Sequence, residues 1–170
     1  EIYDECNALA KNPANDILNQ FSEFANYLAH FQCTGRAAGT IFEHLKKGNA
    51  ELNMAAFVSG TGSGGTLATA DYLKDNYGAR VVAVEPTACP TMLYNGFGEH
   101  NIQGIGDKHV PLIQNVMNTD IVTAVSDTSC DHLSLLFNTE AGQKYLTERR
   151  GLNRALVKSL TCLGLSGIAN

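Results

Sequence analysis

The chain has 170 residues, 44% hydrophobic and 17% charged, with a formal net charge of −5. Those proportions describe a folding domain with a sizeable core rather than a disordered tail. The acidic balance, with no Lys/Arg-rich run, excludes general binding to a nucleic-acid backbone. No apolar stretch approaches the roughly 20 residues a membrane-spanning helix needs.

The opening "EIYDECNALAKN" is too acidic and polar for a secretory leader, so localisation is read from composition, and scattered cysteines never spaced C-x-x-C point to a cytoplasmic protein. "FANYLAHFQCTGRAAGTIFEHLKKG" reads as one or two helices, broken near Thr34–Gly35. "AAFVSG" (Ala55–Gly60) is a short apolar strand ending in glycine. "TLATADYLKDNYG" (Thr66–Gly78) sets Leu67, Ala70, Leu73 and Tyr77 at helical spacing and stops at Gly78, a C-cap glycine. "RVVAVEP" (Arg80–Pro86) is a β-branched strand closed by proline. "DIVTAVSD" (Asp120–Asp127) is another, and Ser126, Asp127 or Thr128 stands ready to cap a helical stretch running toward Arg150. "ALVKSLTCLGLSG" (Ala155–Gly167) is read as a fourth strand ending in a Gly/Ser turn.

Strands alternating with helices predict an α/β fold: a parallel sheet flanked by helices on both sides. Ligands in such sheets sit at the carboxyl ends of the strands. Gly60–Thr66 and Gly164–Gly167 are both expected there, as two walls of one site. Five cysteines, odd in number and never spaced C-x-x-C, read as reduced thiols packed mostly as small apolar groups. Five histidines without H-x-H or H-E-x-x-H spacing give no metal site.

The loop "SGTGSGGT" (Ser59–Thr66) packs four glycines into six positions between a strand and a helix, an arrangement that turns free N–H groups toward an anion. A P-loop is excluded because Thr66 stands where its lysine belongs. A nucleophile elbow is excluded because Thr61 replaces its first glycine, so Ser63 fails that test. Gly60, Gly62 and Gly65 do satisfy G-x-G-x-x-G, and Glu85 follows twenty residues later where a ribose-binding acid would sit. Local spacing therefore leaves two readings open, NAD binding and a cofactor with a single phosphate. The hydroxyls of Ser63 and Thr66 lean toward the second.

"GSGGT" (Gly62–Thr66) resembles the phosphate loop of the cysteine synthase and cystathionine β-synthase family, pyridoxal-phosphate enzymes of fold type II. "NQF" (Asn19–Phe21), Ala25–Asn26, His30 and Thr34–Gly35 resemble that family's N-Q-F…A-N…H…T-G run. "VAVEP" (Val82–Pro86) and "IQGIG" (Ile102–Gly106) are similar as well, and "GLSG" (Gly164–Gly167) more loosely. The resemblance implies a cysteine synthase-like enzyme that eliminates or replaces the β-substituent of an activated serine-type amino acid.

By that resemblance, Gly62, Ser63, Gly64, Gly65 and Thr66 hold the phosphate of pyridoxal 5'-phosphate, and Ser166 bonds its pyridine nitrogen unless it serves as a helix N-cap. Gln20, Gly104 and Gly106 line the substrate. Residues 1–24 correspond to the tail of the small domain, and 25–170 to the large phosphate-binding domain, cut short at its C-terminus. The full-length protein is expected to be a homodimer acting on a small molecule, with no nucleic-acid or membrane partner. The chain departs from the family in having one fewer small residue beside Ser166 and a longer "NRALVKSLTC" before it. None of Lys11, Lys46, Lys47, Lys74, Lys108, Lys144 and Lys158 sits in a Schiff-base lysine motif. No catalytic residue is assigned, and the 170 residues alone are expected to be inactive. The rival readings are an NAD-binding domain and an inactive binding subunit.

Overall fold

A computed structural model describes residues 2–170. After helix α1 (Ile2–Leu9) comes a helical arm of α2 (Phe24–Ala29), a π-helical turn (His30–Gly35) and α3 (Arg36–Gly48). Then follow β1 (Ala56–Gly60), α4 (Leu67–Tyr77), β2 (Arg80–Pro86), the short α5 (Thr91–Tyr94) and β3 (Ile121–Val125). The chain closes through α6 (Asp127–Asn138), α7 (Glu140–Lys144), a second π-helical turn (Tyr145–Arg149), α8 (Arg154–Leu160) and α9 (Leu165–Ala169). Among the described residues the sheet has three strands in the order β1-β2-β3, all parallel. The carboxyl ends Gly60, Pro86 and Val125 therefore share one edge.

Helix α4 covers one face of the sheet, as apolar strands require, while the other face is packed only at its carboxyl end and leaves Val58 and Ile121 41% and 43% exposed. Leu67 and Ala70 of α4 pack on Val81 and Ala83, with Phe57 and Met92 at the margin. A second cluster joins Ile102, Ile105, Cys130 and Ala169, with Val125, Leu165 and Ile168 against it. Gly78 ends α4 in the left-handed conformation (φ 70°), and its N–H bonds the Lys74 carbonyl at 2.9 Å. Ser126 caps α6 by accepting from the Ser129 N–H at 3.1 Å. The helical stretch beyond is interrupted at Thr139, whose hydroxyl starts α7 by accepting from the Gly142 N–H at 3.1 Å.

Two expectations about local structure are corrected. Ala155–Gly167 is not a strand but α8, a turn and α9. Its apolar residues Leu156, Val157 and Leu160 recur at helical spacing, and Asn153 caps α8 by accepting from the Ala155 N–H at 2.8 Å. Gly164–Gly167 consequently lies at a helix start, not at a strand end.

The arm from Phe24 to Gly48 is not broken at Thr34–Gly35 either; it runs on through the π turn. Tyr27, Phe31, Gly35 and Gly39 stand four residues apart along it, and all meet α4. Tyr27 stacks on Phe31, whose ring lies edge-on to Tyr72 at 5.4 Å. A Cβ at Gly35 would fall 2.6 Å from Tyr72, and one at Gly39 2.7 Å from the Tyr77 hydroxyl. A four-residue spacing drifts off one face of a 3.6-residue helix; the wider π turn restores the register and keeps the stripe on α4. Tyr27 also donates to the buried Asp71 carboxylate at 2.8 Å, with Asn118 donating to the other oxygen. Burial, and secondarily this bond, pushes the Tyr27 phenol well above its ordinary value.

Only two of the five cysteines, Cys89 and Cys130, are buried; Cys33 and Cys162 are exposed, which corrects the expectation that most are packed inside. Burial pushes the Cys130 thiol up. No cluster of metal-ligating side chains occurs, and no helix is long and apolar enough to cross a membrane, among the described residues.

Asp120 ties three elements together. Its carboxylate accepts from Lys74 of α4 at 2.7 Å and from the Val81 N–H of β2 at 2.7 Å, just before β3 begins. The lysine and amide bonds hold its carboxyl below the usual 3.8. A carboxyl lowered in the folded state adds stability above its unfolded value that is lost as pH falls through the folded one. Urea titrations between pH 7 and pH 3 should therefore show a steeper acid loss in the wild type than in Asp120→Asn, which has no such proton to take up.

Candidate functional site at the glycine loop

Three segments converge at the carboxyl end of β1. The loop from Thr61 to Thr66 is anchored at its first residue: the Thr61 N–H bonds the Val84 carbonyl at 3.0 Å, and the Thr61 carbonyl accepts from the Gly106 N–H at 2.7 Å. This pulls the "IQGIG" loop over the glycines. A Cβ at Gly62 would sit 3.6 Å from the Gly106 carbonyl and 3.7 Å from that of Gly104. Gly104 and Gly106 themselves take positive φ (87° and 84°), the conformation that glycine tolerates best. Gly104 is exposed, whereas Gly106 lies against His100, whose Nε2 is 2.6 Å from the Ile105 carbonyl.

From the other side comes Asn26 of α2. Its side-chain amide donates to the Gln20 carbonyl at 2.8 Å and to the Ser63 hydroxyl at 3.4 Å. The Ser63 oxygen also accepts from the Gly65 N–H at 3.4 Å. Gly65 is buried against Asn26, and Gly64 adopts φ 81° above Gln114. The exposed Thr66 is the N-cap residue of α4 and makes no side-chain cap.

The first turn of α4 uses its amides internally, Leu67 N–H to the Gly64 carbonyl and Ala68 N–H to the Gly65 carbonyl, each at 3.1 Å. The backbone N–H groups of Gly62, Ser63, Gly64 and Thr66 bond nothing among the described residues. Free amides at the positive end of a helix attract an anion. These residues fit a phosphate group, and the site has no need of a lysine to hold it.

Gly62, Ser63, Gly64, Gly65, Thr66, Gly104 and Gly106 are thus brought together, and Gln20 is joined to them through Asn26. Ser166 lies on a different element, α9. It is the second residue of α9, not its N-cap, a place taken by Gly164. Its carbonyl accepts from the Asn170 N–H at 3.3 Å, and the Asn170 side chain accepts from the Gly60 N–H, so α9 reaches the root of the loop one turn beyond Ser166. Glu85 is only 2% exposed, and its two oxygens accept from the Met92 and Leu93 N–H groups at 2.8 and 3.2 Å. It fastens α5 to the end of β2, and the ribose role it would play in a dinucleotide site is already displaced by those bonds.

Asn26 and Gln114 were not assigned roles by sequence reasoning. Asn26 was visible in the spacing after "NQF", whereas Gln114 in "PLIQN" carries no local signal.

No protein-family model matches the chain. Over 127 residues, 73% of this chain, it is 33% identical to cysteine synthase B of Campylobacter jejuni, covering 40% of that protein. A cysteine synthase of Helicobacter pylori is 41% identical over 78 residues, 44% of this chain and 25% of its own. A hydrogen sulfide-producing enzyme from Fusobacterium nucleatum superimposes with a TM-score of 0.73 at 26% identity, over 99% of this chain and 44% of that one. Over most of its length the chain is similar to cysteine synthases. Its fold is that of these fold type II enzymes, and it spans about two fifths of the length of cysteine synthase B.

The two central glycines of the loop should respond differently to substitution. At Gly64 an alanine meets Gln114 Cβ at 2.8 Å and holds a left-handed backbone, at a cost of about 1–2 kcal/mol from the dihedral alone. At Gly65 it meets only the end of the Asn26 side chain, at 2.5 Å. Urea unfolding should rank Gly64→Ala clearly below Gly65→Ala in stability, while both lose anion affinity.

Proposed function

We propose that this chain is part of a pyridoxal 5'-phosphate-dependent enzyme of the cysteine synthase type, a lyase or transferase that removes or replaces the β-substituent of an activated serine-type amino acid. The observation that carries the reading is the set of four unpartnered amides at Gly62, Ser63, Gly64 and Thr66, at the N-terminus of α4 and the carboxyl end of β1. The cysteine synthases among its relatives support it.

In this reading Gly62, Ser63, Gly64, Gly65 and Thr66 hold the phosphate, and Asn26 keeps the Ser63 hydroxyl turned into the loop. Bound pyridoxal phosphate supplies the electron sink that acidifies the α-carbon of an amino acid. Ser166 offers a neutral hydroxyl to the pyridine nitrogen. Unlike a carboxylate, it does not force that nitrogen to be protonated, and a weaker sink suits β-elimination and replacement better than transamination. Gln20, Gly104 and Gly106 border the substrate, the two glycines by letting backbone approach it closely. We assign residues 1–24 to the tail of the small domain and 25–170 to the large one.

The crevice beside Gly62 is lined by Thr61, Glu85, Thr91, Met92, Asp107, His109, Val110, Pro111 and Gln114, with no lysine, and Lys74 is committed to Asp120 and the Asn118 carbonyl. The 170 residues by themselves are accordingly read as inactive, with proton transfer at the α-carbon left to a lysine elsewhere in the enzyme. The full-length enzyme is read as a cytoplasmic homodimer with no nucleic-acid or membrane partner.

Borohydride reduction of the full-length protein, followed by intact mass measurement and peptide mapping, tests the proposal. A pyridoxyl adduct on a lysine outside these 170 residues is the expected result. A protein that takes up no pyridoxyl group but enhances nicotinamide fluorescence would overturn it in favour of the dinucleotide reading.

A further inference from the structure

We infer that Gln114 is a positioning residue that sets how tightly the glycine loop holds an anion, acting through Thr61 and from beneath Gly64; this rests on the reading of the loop as a phosphate site. Gln114 is 8% exposed and Thr61 5%. A buried primary amide must find partners for both its ends. The Gln114 oxygen accepts from the Thr61 hydroxyl at 3.3 Å, and its nitrogen donates to the Met92 sulfur at 2.9 Å. Met92 is itself fixed, since its N–H is held by the Glu85 carboxylate at 2.8 Å. A continuous polar relay thus leads from the end of β2 through α5 to the first residue of the loop.

The same side chain acts a second time, sterically. A Cβ built on Gly64 would lie 2.8 Å from Gln114 Cβ and 3.2 Å from Cγ, so the Gln114 stem is the floor on which the left-handed Gly64 rests. Thr61 immediately precedes the unpartnered amides. Its N–H and carbonyl are already spoken for by Val84 and Gly106, and the Gln114 bond is what holds its side chain. With backbone and side chain all fixed, Thr61 cannot turn, and the amides of Gly62, Ser63 and Gly64 keep a common aim. An apolar residue at position 114 would fill the floor yet release the Thr61 hydroxyl. A carboxylate there would add negative charge beneath the anion.

The test compares Gln114→Met, Gln114→Glu, Thr61→Val and Thr61→Ser in the full-length protein. Affinities are measured for pyridoxal phosphate, for pyridoxal without its phosphate, and for inorganic phosphate as competitor. Gln114→Met and Thr61→Val should each weaken pyridoxal phosphate about fivefold, the worth of one neutral hydrogen bond, while pyridoxal binding is unchanged. Gln114→Glu should weaken it further, and Thr61→Ser, which keeps the hydroxyl, should restore it. If Gln114→Met does not fold, the Thr61→Val and Thr61→Ser pair decides the matter alone. Wild-type affinity for pyridoxal phosphate in Gln114→Met and Thr61→Val would overturn the inference, as would an equal loss for pyridoxal. A wild type that binds neither pyridoxal phosphate nor inorganic phosphate overturns the phosphate reading itself, and this inference with it.

Discussion

Thr61 is the point on which the site depends. Its N–H continues the parallel ladder one residue past β1 by bonding Val84, and its carbonyl then takes the Gly106 N–H. One residue thereby closes the sheet edge and recruits a loop from more than forty positions downstream. The glycines that follow can leave their amides unpaired only because the chain on both sides of them is held so completely. A free N–H inside a protein is costly; here the cost is borne at one short stretch and offset by the ladder, the Asn26 bridge and the first turn of α4.

Much of this was legible in the sequence, for reasons that can be named. The strands Ala56–Gly60, Arg80–Pro86 and Ile121–Val125 are short apolar runs with clear punctuation, and α4 has helical periodicity and a glycine stop. The parallel sheet follows from their alternation. The loop announced itself through glycine density, and its partners Gly104 and Gly106 through motif resemblance alone. Ala155–Gly167 was misread because a short run rich in leucine and valine is ambiguous between strand and helix. Only the capping Asn153 and the 156–157–160 spacing decide it.

The remaining features depend on contacts between distant positions. The π turn at His30–Gly35 exists because Tyr72 and Tyr77 lie across the arm, and nothing local to residues 30–35 states that. Glu85 sits where a ribose-binding acid would be expected, yet its oxygens face the amides of α5. Spacing placed the residue correctly, but it could not say which donors the fold would bring to it. Gln114 shows the same limit: a buried glutamine is understood only through Thr61 and Met92, fifty-three and twenty-two positions away.

The aromatic stripe along the arm has a mechanical consequence. Asn26 stands one residue before Tyr27, and Tyr27, Phe31, Gly35 and Gly39 bind the arm to α4 over its whole length. The arm and α4 therefore pack as one unit, and Asn26 reaches the loop from a helix held by that packing. The opposite side ends at Gly104, exposed, left-handed, and with no atom that a Cβ there would touch. A ligand on the glycine loop is thus flanked by packed side chains on the Asn26 side and by open space beside bare backbone on the Gly104 side, so added bulk on it would find room only toward Gly104.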